Sequence, residues 1–385
     1  MKITHETISA CPICAGRIRP LGLTERYNLQ PFRASVEIRY EACEACGFVL
    51  QGNPVVGQSL QQYYADSPRY RVPEVSSTEA RLCAEQAAFM SASRQLQGTR
   101  VLDIGADMGK MLDHLQSEYG CKTTYQEQNL TARAYLSSHG RHREAADARG
   151  SGPFDWIILS QVLEHIVRPV TFLDEMRSSL APGGMLFVEV PNHSFWDDGD
   201  YGFSFEHVNY FSVAALTAAL DRAGYVITRL VVCDDPRYFS GSGRVIRANA
   251  AVKDPRLATA LPDVLREHNS RGMYGKFAAV ERLGSEVYAQ ASPGLALYGA
   301  GELAEQLFAH SSLSPDQIAA VFDSDTRKHG RRFHDIAIHS PDDIVSLNPK
   351  TIVILSSSEA DIRRTIEGTG YRGRVVGWSE LVPAD

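Results

Sequence analysis

The sequence predicts an α/β protein in three parts: an N-terminal β-ribbon built on paired cysteines, a central Rossmann-like unit, and a smaller Rossmann-like unit near the C-terminus. Three observations carry this. Cys11-Pro-Ile-Cys14 and Cys43-Glu-Ala-Cys46 repeat one spacing. Val101–Leu112 reads VLDIGADMGKML, an apolar run ending at Asp103, then a Gly105-x-x-x-Gly109 turn and a helical pattern. Leu295–Phe308, LALYGAGELAEQLF, repeats the strand, glycine turn and helix. The boundaries read from these are 1–60 for the ribbon, 61–252 for the central unit, 253–292 for a helical linker and 293–385 for the last unit.

The chain has 385 residues, 44% hydrophobic and 22% charged, enough for two or three cores. A formal charge of −7 excludes a general nucleic-acid binder, which needs a basic surface to displace counterions from phosphates. No stretch approaches the roughly 20 apolar residues that span a bilayer, and the N-terminus lacks a signal-peptide pattern. The expectation is a cytoplasmic protein with no nucleic-acid or membrane partner; oligomeric state is not readable.

In a reducing compartment, cysteines at this spacing read as metal ligands rather than disulfides. Cys11, Cys14, Cys43 and Cys46 are expected to hold a structural Zn²⁺, with glycines letting the backbone turn toward the sulfurs. Four thiolates leave no open position for catalysis. Phe32–Glu41 alternates and predicts a strand entering the second pair. Tyr63, Tyr64, Arg69, Tyr70 and Arg71 precede the central unit, and Glu79–Leu96 reads as a helix leading into it.

Asp103 ends the first strand of that unit at the carboxyl edge, where open α/β sheets bind ligands. The spacing D-x-G-x-x-x-G differs from the dinucleotide G-x-G-x-x-G and resembles motif I of class I S-adenosylmethionine (SAM) methyltransferases. A second strand, Lys122–Gln126, ends at Glu127, 24 residues after Asp103, where an acid can accept both ribose hydroxyls. The resemblance implies SAM contacts from Asp103, Gly105, Asp107, Gly109, Glu127 and Gln128. It places Ala146 and Asp147 at the adenine. Pro153–Ser160 reads as a buried strand. With Gln161–Ile166 it resembles motif IV, which implies Ser160, Gln161 and His165 at the methionine end, with Glu164 and His165 closing the strand-to-helix turn. Leu180–Val190 reads as a Pro-Gly-Gly turn feeding a further strand. The sheet is expected to be mostly parallel.

Residues 193–212, HSFWDDGDYGFSFEHVNYFS, crowd aromatics, acids and two histidines without a period, the mark of a functional loop. Glu206-His207 with Tyr210-Phe211-Ser212 resembles the HEHxxYFS signature of bacterial zinc-containing (deoxy)sugar C-methyltransferases, although Ser204 and Phe205 stand where that signature has tyrosine and histidine. The paired cysteines and Gly241-Ser242-Gly243-Arg244 support the resemblance. It implies methylation of a nucleotide-linked ketosugar through an enolate. His207 would be the base, Glu206 and Tyr210 its catalytic neighbours, and Asn192, Tyr201, Arg244 and Lys328 substrate contacts. O- or N-methylation of another polar metabolite, and a SAM-binding adaptor without turnover, are the alternatives.

Asp254–Gln290 reads as two linking helices broken at 269–272. After Gly299-x-Gly301 come a strand at Ala319–Phe322, Asp323, and Lys328-His329-Gly330. A strand at Thr351–Leu355, a helix at Glu359–Glu367 and a strand at Val375–Trp378 complete the unit, for which the resemblance to the sugar C-methyltransferases implies nucleotide-sugar binding, a pure scaffold being the alternative.

Overall fold

The computed structural model describes residues 3–29, 34–66, 77–193, 204–234, 244–253, 283–287, 289, 294–311, 313–356 and 358–381. Its contacts divide into two compact units. One holds Met1–Ser194, Phe205–Asp234 and Arg244–Ser270; the other holds the remaining segments up to Asp385.

In the first unit, β1 (Ile18–Leu29) and β2 (Ala34–Cys43) pair antiparallel, and β3 (Val49–Gln51) lies against β2. The predicted strand is therefore present, beginning at Ala34; Phe32 lies outside the described residues. β1 was not legible because a bulge between Pro20 and Thr24 breaks its alternation.

The same unit contains the larger sheet. Its strands are β4 (Arg100–Ile104), β5 (Lys122–Gln126), β6 (Arg143–Glu144), β7 (Phe154–Ser160) and β8 (Leu180–Pro191). A fourth ribbon strand, β9 (Asn209–Tyr210), comes next in the chain, and β10 (Tyr225–Asp234) and β11 (Arg244–Val252) return to the large sheet. The order is β10-β11-β8-β7-β4-β5-β6, parallel from β8 to β6 and antiparallel where β11 and β10 join. Trp156, Ile157, Ile158 and Leu159 are all fully buried, as a strand covered on both faces requires. Each contributes roughly 1.5–3 kcal/mol by leaving water. The expected Pro-Gly-Gly turn is instead part of β8, which runs on through Pro182–Gly184 with a register shift against β7.

Helices α1 (Gln58–Asp66) and α2 (Ser77–Ser91) precede the sheet, α2 ending five residues before the predicted Leu96. Helix α3 (Lys110–Tyr119) is bounded by Gly109 and Gly120, both in the left-handed conformation. Helix α4 (Leu130–His139) starts on the Asn129 side chain, which accepts from the Thr131 and Ala132 amides. Helices α5 (Pro169–Met176) and α6 (Val213–Arg222) complete the layers.

The second unit carries its own sheet. Its strands are β12 (Leu295–Tyr298), β13 (Ala320–Phe322), β14 (Arg332–Phe333), β15 (Ile336–His339), β16 (Thr351–Ile354) and β17 (Arg374–Gly377). The order β14-β15-β13-β12-β16-β17 is parallel except at the β14–β15 hairpin. That hairpin was not predicted, because its strands are too short to show a period. Helices Glu302–His310 and Glu359–Gly368 stand where expected. Of the predicted linker, 254–282 lie outside the described residues, as do Arg69, Tyr70, Arg71, Tyr201 and Gly241–Gly243.

Candidate active site

The glycine turn follows β4 with Gly105, Asp107 and Gly109 all at positive φ (72°, 49° and 78°). A Cβ on Gly105 would sit 2.8 Å from Val162 Cγ2, so glycine is required there for space as well as conformation. Glu127, at the end of β5, accepts the Asp107 amide at 2.9 Å on one oxygen. Its other oxygen accepts the Gln128 and Asn129 amides at 2.7 and 2.8 Å. Burial raises Asp103 to about 8, with help from the negative charges of Glu127 and Asp107. Burial also raises Glu127 and Asp107. The turn is thus a carboxyl-rich, partly desolvated cradle, whose acids a bound cation would ionise.

Asp147, expected at the adenine, has a partner within the chain. It is exposed beside the equally exposed Ala146, and its carboxylate holds the Arg149 amide and guanidinium at 2.9–3.1 Å.

Ser160 and Gln161, at the end of β7, are held by a carboxylate that sequence reasoning missed. Glu189 of β8 is fully buried and accepts from Gln86 (3.0 Å), Ser160 (3.3 Å) and Gln161 (3.3 Å). Its other oxygen pairs with buried Arg247 of β11. Gln161 adopts φ 57°, and its amide is fixed on the Glu189 carbonyl at 2.9 Å. Buried polar groups are tolerated when their partners are supplied in this way.

Residues 204–212 meet the ends of β7 and β8, the Val208 amide donating to the Glu164 carbonyl and the His193 amide to that of Phe211. His207 lies with its ring 5.0 Å from that of His165 and 6.5 Å from that of His193. One oxygen of fully buried Glu164 and one ring nitrogen each of His165 and His207 lie within 4.8 Å of one another. His165 Nδ1 is 2.9 Å from the Glu206 carbonyl, which can only accept, so that nitrogen carries the proton. Its Nε2 faces Glu164 at 3.8 Å. Tyr64 Oη is 3.1 Å from His165 Nδ1, and Tyr63 donates to Glu206 Oε1. Phe205 packs its ring 5.0 Å from Tyr63. His165, assigned from sequence to the cofactor and to closing a turn, therefore belongs to this cluster. Glu164 anchors it as well, its carbonyl accepting the Val208 amide at 2.8 Å. Asn192 is buried at the end of β8, next to His193.

Residues 76–230 match the family model described as a methyltransferase domain. They form a SAM-dependent methyltransferase domain of class I. Residues 294–376 match a second model, described as C2185-like, N-terminal. Among curated proteins, a ubiquinone biosynthesis O-methyltransferase of Caulobacter sp. (strain K31) is 32% identical over 109 residues, 26% of this chain and 43% of that protein. The corresponding protein of Parvibaculum lavamentivorans is 28% identical over 137 residues, 33% and 53% of the two chains. The chain spans about half the length of the curated relatives it matches. Among solved structures, the N-methyltransferase NodS of Bradyrhizobium japonicum WM9, in complex with S-adenosyl-L-homocysteine, is 18% identical (TM-score 0.38; 51% of this chain and 98% of that one). The Burkholderia thailandensis 1,6-didemethyltoxoflavin-N1-methyltransferase is 17% identical (TM-score 0.40; 60% and 100%).

Ahead of the methyltransferase domain, the four cysteines come together. Sulfur–sulfur separations are 3.7 Å (Cys11–Cys46), 3.4 Å (Cys14–Cys43) and 3.5 Å (Cys14–Cys46). A tetrahedron of Zn–S bonds near 2.3 Å has edges of roughly 3.8 Å, so the set fits that ion. Burial, then hydrogen bonding among the cysteines, pushes Cys14 up to about 11; Cys46 is raised further, chiefly by Cys11. Only a cation lets such crowded thiols ionise together. The turn chemistry differs from expectation: Ala15, not a glycine, takes the left-handed conformation in the first pair (φ 59°), matching Gly47 in the second (φ 71°). Gly16 is needed for room, since a Cβ there would lie 2.9 Å from Ala45 and 3.1 Å from Cys14 and Cys43 sulfurs.

In the second unit, Lys328 is occupied internally. Its Nζ lies 2.7 Å from Asp323 Oδ2 and 2.9 Å from the Ala300 carbonyl, while Asp323 also accepts the Ala300 amide at 3.0 Å. Arg244 lies in β11, and its side chain is outside the described residues.

Proposed function

We propose that this chain methylates a carbon beside the carbonyl of a nucleotide-linked ketosugar, with His207 as the general base. The observation that supports it is the cluster of buried Glu164 and His193 with half-buried His165 and His207, lined by the Tyr63–Glu206 pair. A carbon acid needs its α-proton removed before it is nucleophilic, and an imidazole is the side chain suited to that near neutral pH. His207 takes the proton, the C–H electron pair becomes the enolate, and the enolate oxygen is met by a hydroxyl or imidazole donor of the cluster. SAM, held at the Gly105–Gly109 turn, supplies an electrophilic methyl group on a sulfonium. The enolate carbon takes that methyl, and the S–CH₃ electron pair stays with sulfur. What the chain must then contribute is alignment. We assign Zn²⁺ to the four cysteines as a structural ion, checked by finding one zinc per chain on metal analysis. The second unit is assigned to the nucleotide.

O-methylation is the second reading, favoured by the names of the curated relatives, and would use the same base on a hydroxyl. The test is turnover with candidate nucleotide sugars in D₂O, followed by mass spectrometry of the product. Deuterium washed into the α-carbon and a new C–CH₃ bond are expected. His207→Ala should lower turnover on the order of 10²–10⁴-fold with SAM still bound. A methylated hydroxyl without exchange would establish O-transfer, and retained turnover in the variant would remove His207 as the base.

A further inference from the structure

The N-terminal ribbon buries a carboxylate where its pattern calls for an apolar side chain. Glu25 of β1 is 1% exposed and stands opposite Ile38, on a face it shares with buried Leu21 and Leu29. Leaving a carboxyl there without partners is costly, and the ribbon supplies a chain of hydroxyls. Tyr40, fully buried on β2, donates to Glu25 at 3.2 Å. Since that proton is committed, the Tyr27 hydroxyl, 2.7 Å from Tyr40 Oη, must be the donor to it. Burial, then Glu25, then Tyr210 raise Tyr40 well above the ordinary phenol range, so the hydroxyls feel one another's charge.

Tyr210 is not a ribbon residue by sequence. It enters through pairing: Val49 of β3 stands opposite Tyr210 and Leu50 opposite Asn209, which makes β9 the fourth strand of the ribbon sheet. The Tyr210 ring lies 5.7 Å from that of Tyr40 on one side and 4.9 Å from that of His193 on the other. Gln51 fastens the same segment. Its side chain donates to the Phe205 and His207 carbonyls at 3.1 and 2.9 Å, and its amide to the Val208 carbonyl at 2.9 Å.

We propose that Glu25 and Tyr40 are positioning residues of the acceptor site, acting through Tyr210 on the His193–His207 pair. The ribbon is then an arm of the site and not only a cap on the chain. Glu25 accepts from Tyr40 and fixes that ring, and the Tyr210 ring is held between it and His193. The proposal rests on the reading of His207 as the acceptor-site base.

Among the described residues, Glu164 and His165 after β7 and His193 after β8 face His207, with Glu206 and its partner Tyr63 from α1 beside them. Those facing Tyr210 are Tyr40 and His193, with Glu25 and Tyr27 behind Tyr40. The experiment follows the imidazole titrations of ¹⁵N-histidine-labelled full-length protein by NMR, with no acceptor and no SAM. Glu25→Gln removes the charge but keeps the shape. It is expected to lower the titration midpoint of His193 or His207 by about half a unit or more. Tyr40→Phe, which breaks the chain while keeping the ring, should shift the same resonances. Glu37→Gln, on exposed β2 surface, should shift neither. Unchanged histidine titrations in both Glu25→Gln and Tyr40→Phe, with a lower melting temperature alone, would overturn the proposal and leave Glu25 a packing residue. Because no substrate is used, this result is independent of whether carbon is the methyl acceptor.

Discussion

The chain builds the same local device twice and finishes it differently. After β4 and after β12, a glycine turn leaves a parallel strand, and an acid at the end of the neighbouring strand accepts a backbone amide of that turn: Glu127 from Asp107, Asp323 from Ala300. At the first turn the acids accumulate. Burial raises all three of Asp103, Asp107 and Glu127; the charges of Glu127 and Asp107 add to this at Asp103 and that of Asp107 at Glu127, while Lys110 offsets it at Asp107. At the second, Lys328 sits on the acid and on the turn carbonyl, so the charge is already answered by the chain. Among the described residues no lysine bonds Asp103 or Glu127 at the first turn, Lys110 being paired with Glu79, so a ligand cation can be received there, whereas the second turn is closed by its own lysine. Backbone similarity therefore says little about which turn binds, and the neighbouring charges decide it.

The largest expected effect that would break this comparison comes from Glu127→Ala. Loss of a charged acceptor of two hydroxyls should weaken SAM binding about 10–100-fold, read by calorimetric titration. An unchanged affinity would mean that the first turn is as closed as the second.

A smaller effect comes from pH. In the free protein the Asp103 carboxyl is raised from 3.8 to about 8. The folded chain thus keeps a proton that the unfolded chain gives up between those values, and this contribution to stability is lost as pH rises through that window. A ligand ammonium placed there favours the carboxylate, so binding expels the proton below pH 8. SAM affinity should rise with pH up to about 8 and level off above it, and Asp103→Asn should flatten the slope. A pH-independent affinity in the wild type would separate Asp103 from the ligand.

The parts legible in the sequence are those whose signal is local. The two cysteine pairs, the Gly105–Gly109 turn, Glu127 and the strands β4, β5, β7 and β8 all follow from spacing within a few tens of residues; the two-residue β6 and the order of the sheet do not. The acceptor site was half legible: His207, Glu206 and Tyr210 stand together in the chain, and the structure groups His207 with Glu164, His165 and His193. What the sequence hid are partners joined only by folding. Gln51 meets a carbonyl 154 positions away, and Glu25 looks like an ordinary surface acid until β1 is paired. Glu189 was hidden differently, since one acid inside the apolar run LFVEV shows a cost but not the Arg247, Gln86 and Ser160 that meet it. Asp147 has a neighbouring arginine on its carboxylate, which no spacing rule registers.

The most direct measurement is calorimetric titration of SAM into the full-length protein and into its Asp323→Ala variant. One SAM per chain, bound with the same affinity within about twofold in both, is the expected result. No SAM binding by the wild type, or binding lost with Asp323, would contradict the assignment of the cofactor to the turn after β4.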